Sequence, residues 1–174
     1  MSDAPRVAVV AGARTPFTKA GAQLSKHRAL DLGVHAVDGL LDRADVAPGI
    51  VETLVFGIVV VDARVPHLAR EVNFQSRLPD STRSLTITDN CITAASGIEL
   101  VADSIRAGRA EVGIAGGVES MSNPSVLMSN RDSSVFLQAD GARSLGDRLK
   151  IFSQLRPKEL VPQAPGVAEP SSGL

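Results

Sequence analysis

Tryptophan and tyrosine are absent from the 174 residues, and phenylalanine occurs only five times. A core must therefore be assembled from Val, Ile, Leu and Ala, and at 44% hydrophobic residues the chain has enough of them to exclude general disorder. A single cysteine excludes an internal disulfide and any multi-cysteine zinc centre. The three histidines, His27, His35 and His67, are scattered, which argues against a metal site. A net charge of −1 gives no reason to expect nucleic acid or an anionic membrane as partner. No apolar run reaches membrane-spanning length. The start, Met1-Ser2-Asp3-Ala4-Pro5-Arg6, has no charged-then-apolar signal pattern. These absences lead us to expect a soluble, cytoplasmic protein without bound metal. The length suits one domain plus an attachment.

What is present centres on the lone cysteine. Ser84-Leu85-Thr86-Ile87-Thr88 alternates apolar and polar residues and reads as a strand. Beyond Cys91, the residues Ala94, Ala95, Ile98, Val101, Ala102 and Ile105 keep helical spacing, with Glu99, Asp103 and Arg106 opposite and Gly108 as a C-cap. Cys91 thus falls on a strand-to-helix turn, at or beside a helix N-terminus. Unpaired N–H groups there favour a thiolate and suit a developing oxyanion. Asp89 would oppose the thiolate if it faced the sulfur. A buried structural cysteine is the other reading, since free cysteine is among the most buried residue types.

Along the chain, Val7-Ala8-Val9-Val10-Ala11 is a continuous apolar run, as a central parallel strand requires. Helical spacing follows from Ala29 to Ala44, ended by residues 45–48. His35 lies among the apolar residues of that stretch, and His27 sits in a Lys/Arg-flanked polar one. A second buried strand is expected over 54–61, with Gly57 marking a bulge or close packing, and a short helix over 67–77. Val112-Gly113-Ile114-Ala115-Gly116-Gly117 reads as a fourth strand. It lacks the lysine of a phosphate loop and the spacing of a dinucleotide fingerprint. The β-α-β-α-β-α-β order predicts an α/β fold, with a mostly parallel sheet, helices on both faces and chemistry at the strands' carboxyl ends. Residues 121–141 show little periodicity, Leu145, Leu149 and Phe152 suggest one short helix, and four prolines (157, 162, 165, 170) describe an extended tail.

Three motifs then carry a resemblance. Arg14-Thr15-Pro16-Phe17, Asn90-Cys91, and Gly116-Gly117-Val118-Glu119-Ser120-Met121-Ser122 resemble, in this order and spacing, a thiolase (acetyl-CoA acyltransferase). Leu68-Ala69-Arg70-Glu71, Cys91-Ile92-Thr93-Ala94 and Ser144-Leu145-Gly146-Asp147-Arg148-Leu149 are most similar to the β-subunit type of the trifunctional fatty-acid oxidation complex. The resemblance implies residues 1–120 as an N-terminal thiolase domain and 121–174 as the beginning of a loop region that clasps coenzyme A. It implies Cys91 as the nucleophile that accepts an acyl group, with its N–H donating to an oxyanion. Acyl-CoA and coenzyme A are the implied substrates, with no permanently bound cofactor. A homo-oligomer, dimer or tetramer, is implied, with a fatty-acid oxidation complex as a further partner. Thiolases are more than twice this long, and their second half carries an activating histidine, a second cysteine and an Asn/His pair. The chain is accordingly expected to supply a first half, inactive without the second. The alternatives are a ketoacyl-synthase-type condensing enzyme, disfavoured by Ile92-Thr93-Ala94-Ala95 and by Arg14-Thr15-Pro16-Phe17, and a non-catalytic truncated subunit.

Overall fold

The computed structural model describes residues 6–125 and 128–156, which form two compact units, 1–123 and 124–174. The expected extended tail over 157–174 lies outside the described residues.

The first unit is built on a three-stranded parallel sheet of order β2-β1-β3, with β1 at Thr53–Gly57, β2 at Arg83–Ile87 and β3 at Gly113–Gly117. Every residue of β1 is buried, as a central parallel strand covered on both faces requires. Its alternate residues serve opposite layers. Leu54 and Phe56 join Leu30, Val37, Leu41, Leu68 and Val72 in one cluster, supplied by α1 (Ala29–Ala44) and α2 (Leu68–Gln75). Thr53, Val55 and Gly57 face the other way, toward Val101, Gly97 and Thr93 of α3 (Thr93–Arg106). Helices therefore cover both faces, as expected.

Local chemistry explains the helix limits. Asp31 Oδ2 accepts from the N–H of Arg28 at 2.9 Å, closing the N-terminus of α1. Asp45 ends that helix in the left-handed region at φ 51°, a conformation aspartate tolerates. Gly33 keeps α1 close to its neighbours: a Cβ there would lie 2.9 Å from Val72 Cγ2 and 3.1 Å from a Phe56 ring carbon. Gly108, at φ 67°, follows α3 as the expected C-terminal glycine, and its N–H reaches the Ile105 carbonyl at 2.9 Å. The stripe that α3 buries is Thr93, Gly97 and Val101. That differs from the expected apolar stripe, of which Ile98 stays 53% exposed. Glycines of the sheet make room for this stripe: a Cβ at Gly57 would lie 1.9 Å from Thr93 Cγ2, and one at Gly113 2.7 Å from Val101 Cγ1.

The largest departure concerns residues 7–11, which are not a central strand. They pair with no strand among the described residues, and Val9 and Val10 are each 83% exposed. Their apolarity met the expectation for a strand, but a strand exists only where a neighbour supplies its ladder. Here the outer edge of β3 is open, and an apolar groove of about 690 Å³ lies among residues 7–12, β3, α3 and the end of α1. Surfaces of this kind promote association. The chain is expected to self-associate at high concentration, and Val9→Asp/Val10→Asp to reduce that association, both measured by light scattering. A monodisperse monomer of the unsubstituted chain would contradict this.

In the second unit, α4 (Asn130–Asp140) occupies a stretch where the sequence pattern predicts no helix. Its signal is in the caps. Ser129 Oγ accepts from the N–H of Asp132 at 3.1 Å, and Gly141 follows the last turn. Ser144 repeats the device toward Asp147 at 3.1 Å and opens α5 (Leu145–Phe152), the short helix expected there. Phe136 and Phe152 meet edge to face at 5.7 Å and join the two helices.

Candidate active site

The parallel register aligns three strand ends. Gly57 stands opposite Ile87 on one side and Gly117 on the other, so all three strands release their chains at one edge. Two main-chain bonds extend the ladder one residue further, Ile58 N–H to Ile87 O at 3.2 Å and Val118 N–H to Gly57 O at 2.9 Å. Past this point the chains diverge around a pocket of about 430 Å³. Its walls are residues 57–60 from the end of β1 onward, then Asn90, Cys91, Thr93 and Ala94, then residues 117–119 and Met121 from the end of β3 onward.

Cys91 sits in a 3-10 turn, Asn90–Ile92, that leads directly into α3, and it is exposed. Exposure removes the buried structural reading. The turn is shaped by Thr93, itself buried. Thr93 Oγ1 accepts from the N–H of Asp89 at 2.7 Å and donates to the Asn90 carbonyl at 2.7 Å. This clip holds Asn90 at φ 45°, a left-handed conformation in which asparagine is among the few tolerated side chains. The N–H of Ile92 is taken by Asp89 O at 3.2 Å, whereas no acceptor among the described residues engages the N–H of Cys91. The Asp89 carboxylate accepts from Ser96 Oγ, on the first full turn of α3.

Thr93 also explains Gly57. A Cβ at position 57 would lie 1.9 Å from Thr93 Cγ2, so α3 seats its first residue on the strand where only glycine leaves room. Of the two expectations for Gly57, close packing is the one observed.

The glycine-rich motif after β3 contributes on two sides. Gly117, Val118, Glu119 and Met121 line the pocket. Ser120, Ser122 and Asn123 instead pin the loop before α1: Ser120 Oγ donates to His27 O at 2.9 Å, and Asn123 Nδ2 to Ser25 O at 2.9 Å. Ser122 Oγ accepts from Gly21 N–H at 2.9 Å. Arg14 and Phe17 are not brought to the pocket; the guanidinium stands 6.0 Å from the exposed Phe17 ring. No histidine lines the pocket either. His27 and His35 face each other at 5.9 Å, while His67 caps α2 and its Nδ1 lies 3.0 Å from Thr86 Oγ1. Thr86 Oγ1 also accepts from Ala69 N–H at 2.8 Å, and His67 Nδ1 accepts from Arg70 N–H at 3.4 Å.

The loop after Val60 carries its own clamp. Asp62 accepts from Arg64 Nε at 2.9 Å and Nη2 at 2.8 Å, and that side-chain pairing holds the Asp62 carboxyl below its ordinary value. Sequence reading did not single out Thr93 or Glu119 as site residues. Glu119 had one available signal, a charged residue two positions past a strand-ending glycine pair.

Comparison with known proteins follows this geometry. The family model for the thiolase N-terminal domain matches residues 7–146. A protein of Colwellia psychrerythraea described as a 3-ketoacyl-CoA thiolase is 40% identical over 99% of this chain and 40% of its own length. One from Erwinia tasmaniensis with the same description is 38% identical over 97% of this chain and 39% of its own. The chain thus spans about two-fifths of the length of these relatives. Among solved structures, Acat5 thiolase from Ascaris suum in complex with coenzyme A superposes with a TM-score of 0.67 at 26% identity, over 70% of this chain and 32% of that one. A matching domain model and a strand-to-helix cysteine turn agree, and the chain belongs to the thiolase family, where it corresponds to the N-terminal domain.

Proposed function

We propose that this chain contributes the nucleophile of a thiolase-type acyl transfer, with Cys91 as that nucleophile and coenzyme A esters as substrates. The observation that carries this reading is an exposed thiol beside an uncommitted N–H, at the shared carboxyl ends of three parallel strands. The Cys91 sulfur, once deprotonated, attacks the thioester carbonyl. The carbonyl oxygen gains negative charge and is met by the Cys91 N–H. Collapse expels coenzyme A as thiolate and leaves an acyl thioester on Cys91, dividing a hard step into two easier ones. In the degradative direction the sulfur attacks the 3-keto carbonyl instead, the C2–C3 bond breaks, acetyl-CoA leaves as its enolate and takes up a proton, and the acyl group then passes from Cys91 to a free coenzyme A. The reverse is condensation of acetyl units.

The thiol proton needs an acceptor, and no histidine lines the pocket. The family resemblance implies that an activating histidine serves as base and that a second cysteine takes part, both supplied by a second half beyond these 174 residues. The same resemblance assigns 121–174 to the coenzyme A clasp. We further propose a homo-oligomer working in the cytoplasm alongside a fatty-acid oxidation partner. The open edge of β2, with Leu85 41% exposed, supports extension by a second copy, and a lone exposed thiol suits a reducing compartment. No helix among the described residues is long and apolar enough to cross a membrane.

The test supplies the missing base through the solvent. At a pH above about 8.5 a free thiol ionises unaided. Incubation with acetyl-CoA there should add one acetyl group to the peptide carrying Cys91, read by mass spectrometry, and Cys91→Ala should add none. Acetylation elsewhere, or none at any pH, would sink the catalytic reading in favour of a non-catalytic subunit.

A further inference from the structure

The two N–H groups that follow the end of the β1 ladder have an unusual acceptor. Val59 and Val60 donate to the same carboxylate oxygen, Glu119 Oε2, at 3.1 and 3.0 Å. Successive N–H groups of an extended strand point to opposite sides. Both reach one oxygen here because the chain bends at Val59 and Val60. Glu119 stands two residues past Gly117, as Val59 stands two past Gly57, so a side chain continues where the main-chain ladder stops. Val59, Val60 and Glu119 all line the pocket that holds Cys91.

We propose that Glu119 is a positioning residue that holds the Val59–Val60 bend as a wall of the Cys91 pocket, and through it sets which acyl groups reach the sulfur. The proposal rests on Cys91 as the reacting thiol. A carboxylate suits the task because one of its oxygens, with its several lone-pair sites, accepts both bonds at once. With the bond to Glu119 removed, the two N–H groups turn to water and the bend loses its fixed place. Val59, 44% exposed on that wall, then no longer presents one apolar surface to an incoming chain. Small reagents need little of that wall and long ones need all of it, so the effect falls on selectivity by length.

The experiment uses alkylation, which needs no acyl transfer and so separates this proposal from the reading it rests on. Rates of Cys91 labelling by N-ethylmaleimide and N-octylmaleimide are measured on the unsubstituted chain and on Glu119→Ala, Glu119→Asp and Glu119→Gln. Mass spectrometry confirms the labelled residue and circular dichroism the fold. Ala removes the acceptor, and Asp keeps the charge but is one methylene short of bridging both donors. Each is expected to change the octyl-to-ethyl rate ratio by about tenfold, the scale on which pocket walls discriminate chain length. Gln keeps an acceptor oxygen at the same reach and is expected to stay within about twofold of the unsubstituted ratio. An unchanged ratio in Glu119→Asp overturns the proposal, and that variant carries the test if Glu119→Ala does not fold. A ratio changed as much in Gln as in Ala overturns it too, because charge and not the paired hydrogen bonds would then govern the wall.

Discussion

Gly57→Ala is expected to destabilise the first unit by about 2–4 kcal/mol, a fall in Tm of roughly 5–15 °C. The new methyl would lie 1.9 Å from Thr93 Cγ2, with Thr93 Cβ at 3.2 Å and the Ile87 carbonyl at 3.4 Å. Replacing glycine in a strand by alanine would by itself stabilise by about 0.5–1 kcal/mol, so the clash decides the sign. Relief cannot come from a flexible side-chain end, because Thr93 is buried, β-branched and bonded at its hydroxyl. Instead α3 must shift, and the Cys91 turn with it. A second substitution makes the cause checkable. Thr93→Ser deletes the offending methyl but keeps the hydroxyl, so Gly57→Ala/Thr93→Ser should recover most of the loss by thermal denaturation. A double variant no more stable than Gly57→Ala alone would place the strain elsewhere.

Removal of the Thr93 hydroxyl is expected to cost about 1–3 kcal/mol in stability, the range for stranding buried partners, and far more in reactivity. Thr93→Val keeps the packing against Gly57 while leaving the Asp89 N–H and the Asn90 carbonyl without their 2.7 Å partner. Asn90 then has nothing to offset its left-handed backbone and relaxes. A displacement of about 1 Å at a reacting group is enough for a loss near a hundredfold. Acetylation of Cys91 by acetyl-CoA should fall on that scale in Thr93→Val and stay near its usual rate in Thr93→Ser. Equal rates in the two variants would show that the clip does not orient the thiol. Because the expected loss of stability is small, circular dichroism at room temperature should show both variants folded.

Much of this was written in local pattern. The strand before Cys91, the helix after it with Gly108 beyond, and α1 from Ala29 to Ala44 all follow from periodicity and capping, which act between residues a few positions apart. The place of Cys91 on its turn followed in the same way, and three motifs in order carried the family. The acidic residue Glu119 stood in one of those motifs, yet nothing local tied it to Val59 and Val60, sixty and fifty-nine residues away. Gly57 and Thr93 likewise meet only because α3 is laid across β1. Residues 7–11 show the converse. Their composition suits a buried strand, but pairing is a property of two chains in register, and no strand among the described residues lies beside them. Sequence by itself determined α1, the strand and helix that flank Cys91 and the turn that carries it, because short-range sterics and hydrogen bonding decide those. Only the tertiary structure decided which strands pair, which glycine must be glycine, and which carboxylate closes the pocket wall, because each depends on atoms brought together from distant parts of the chain.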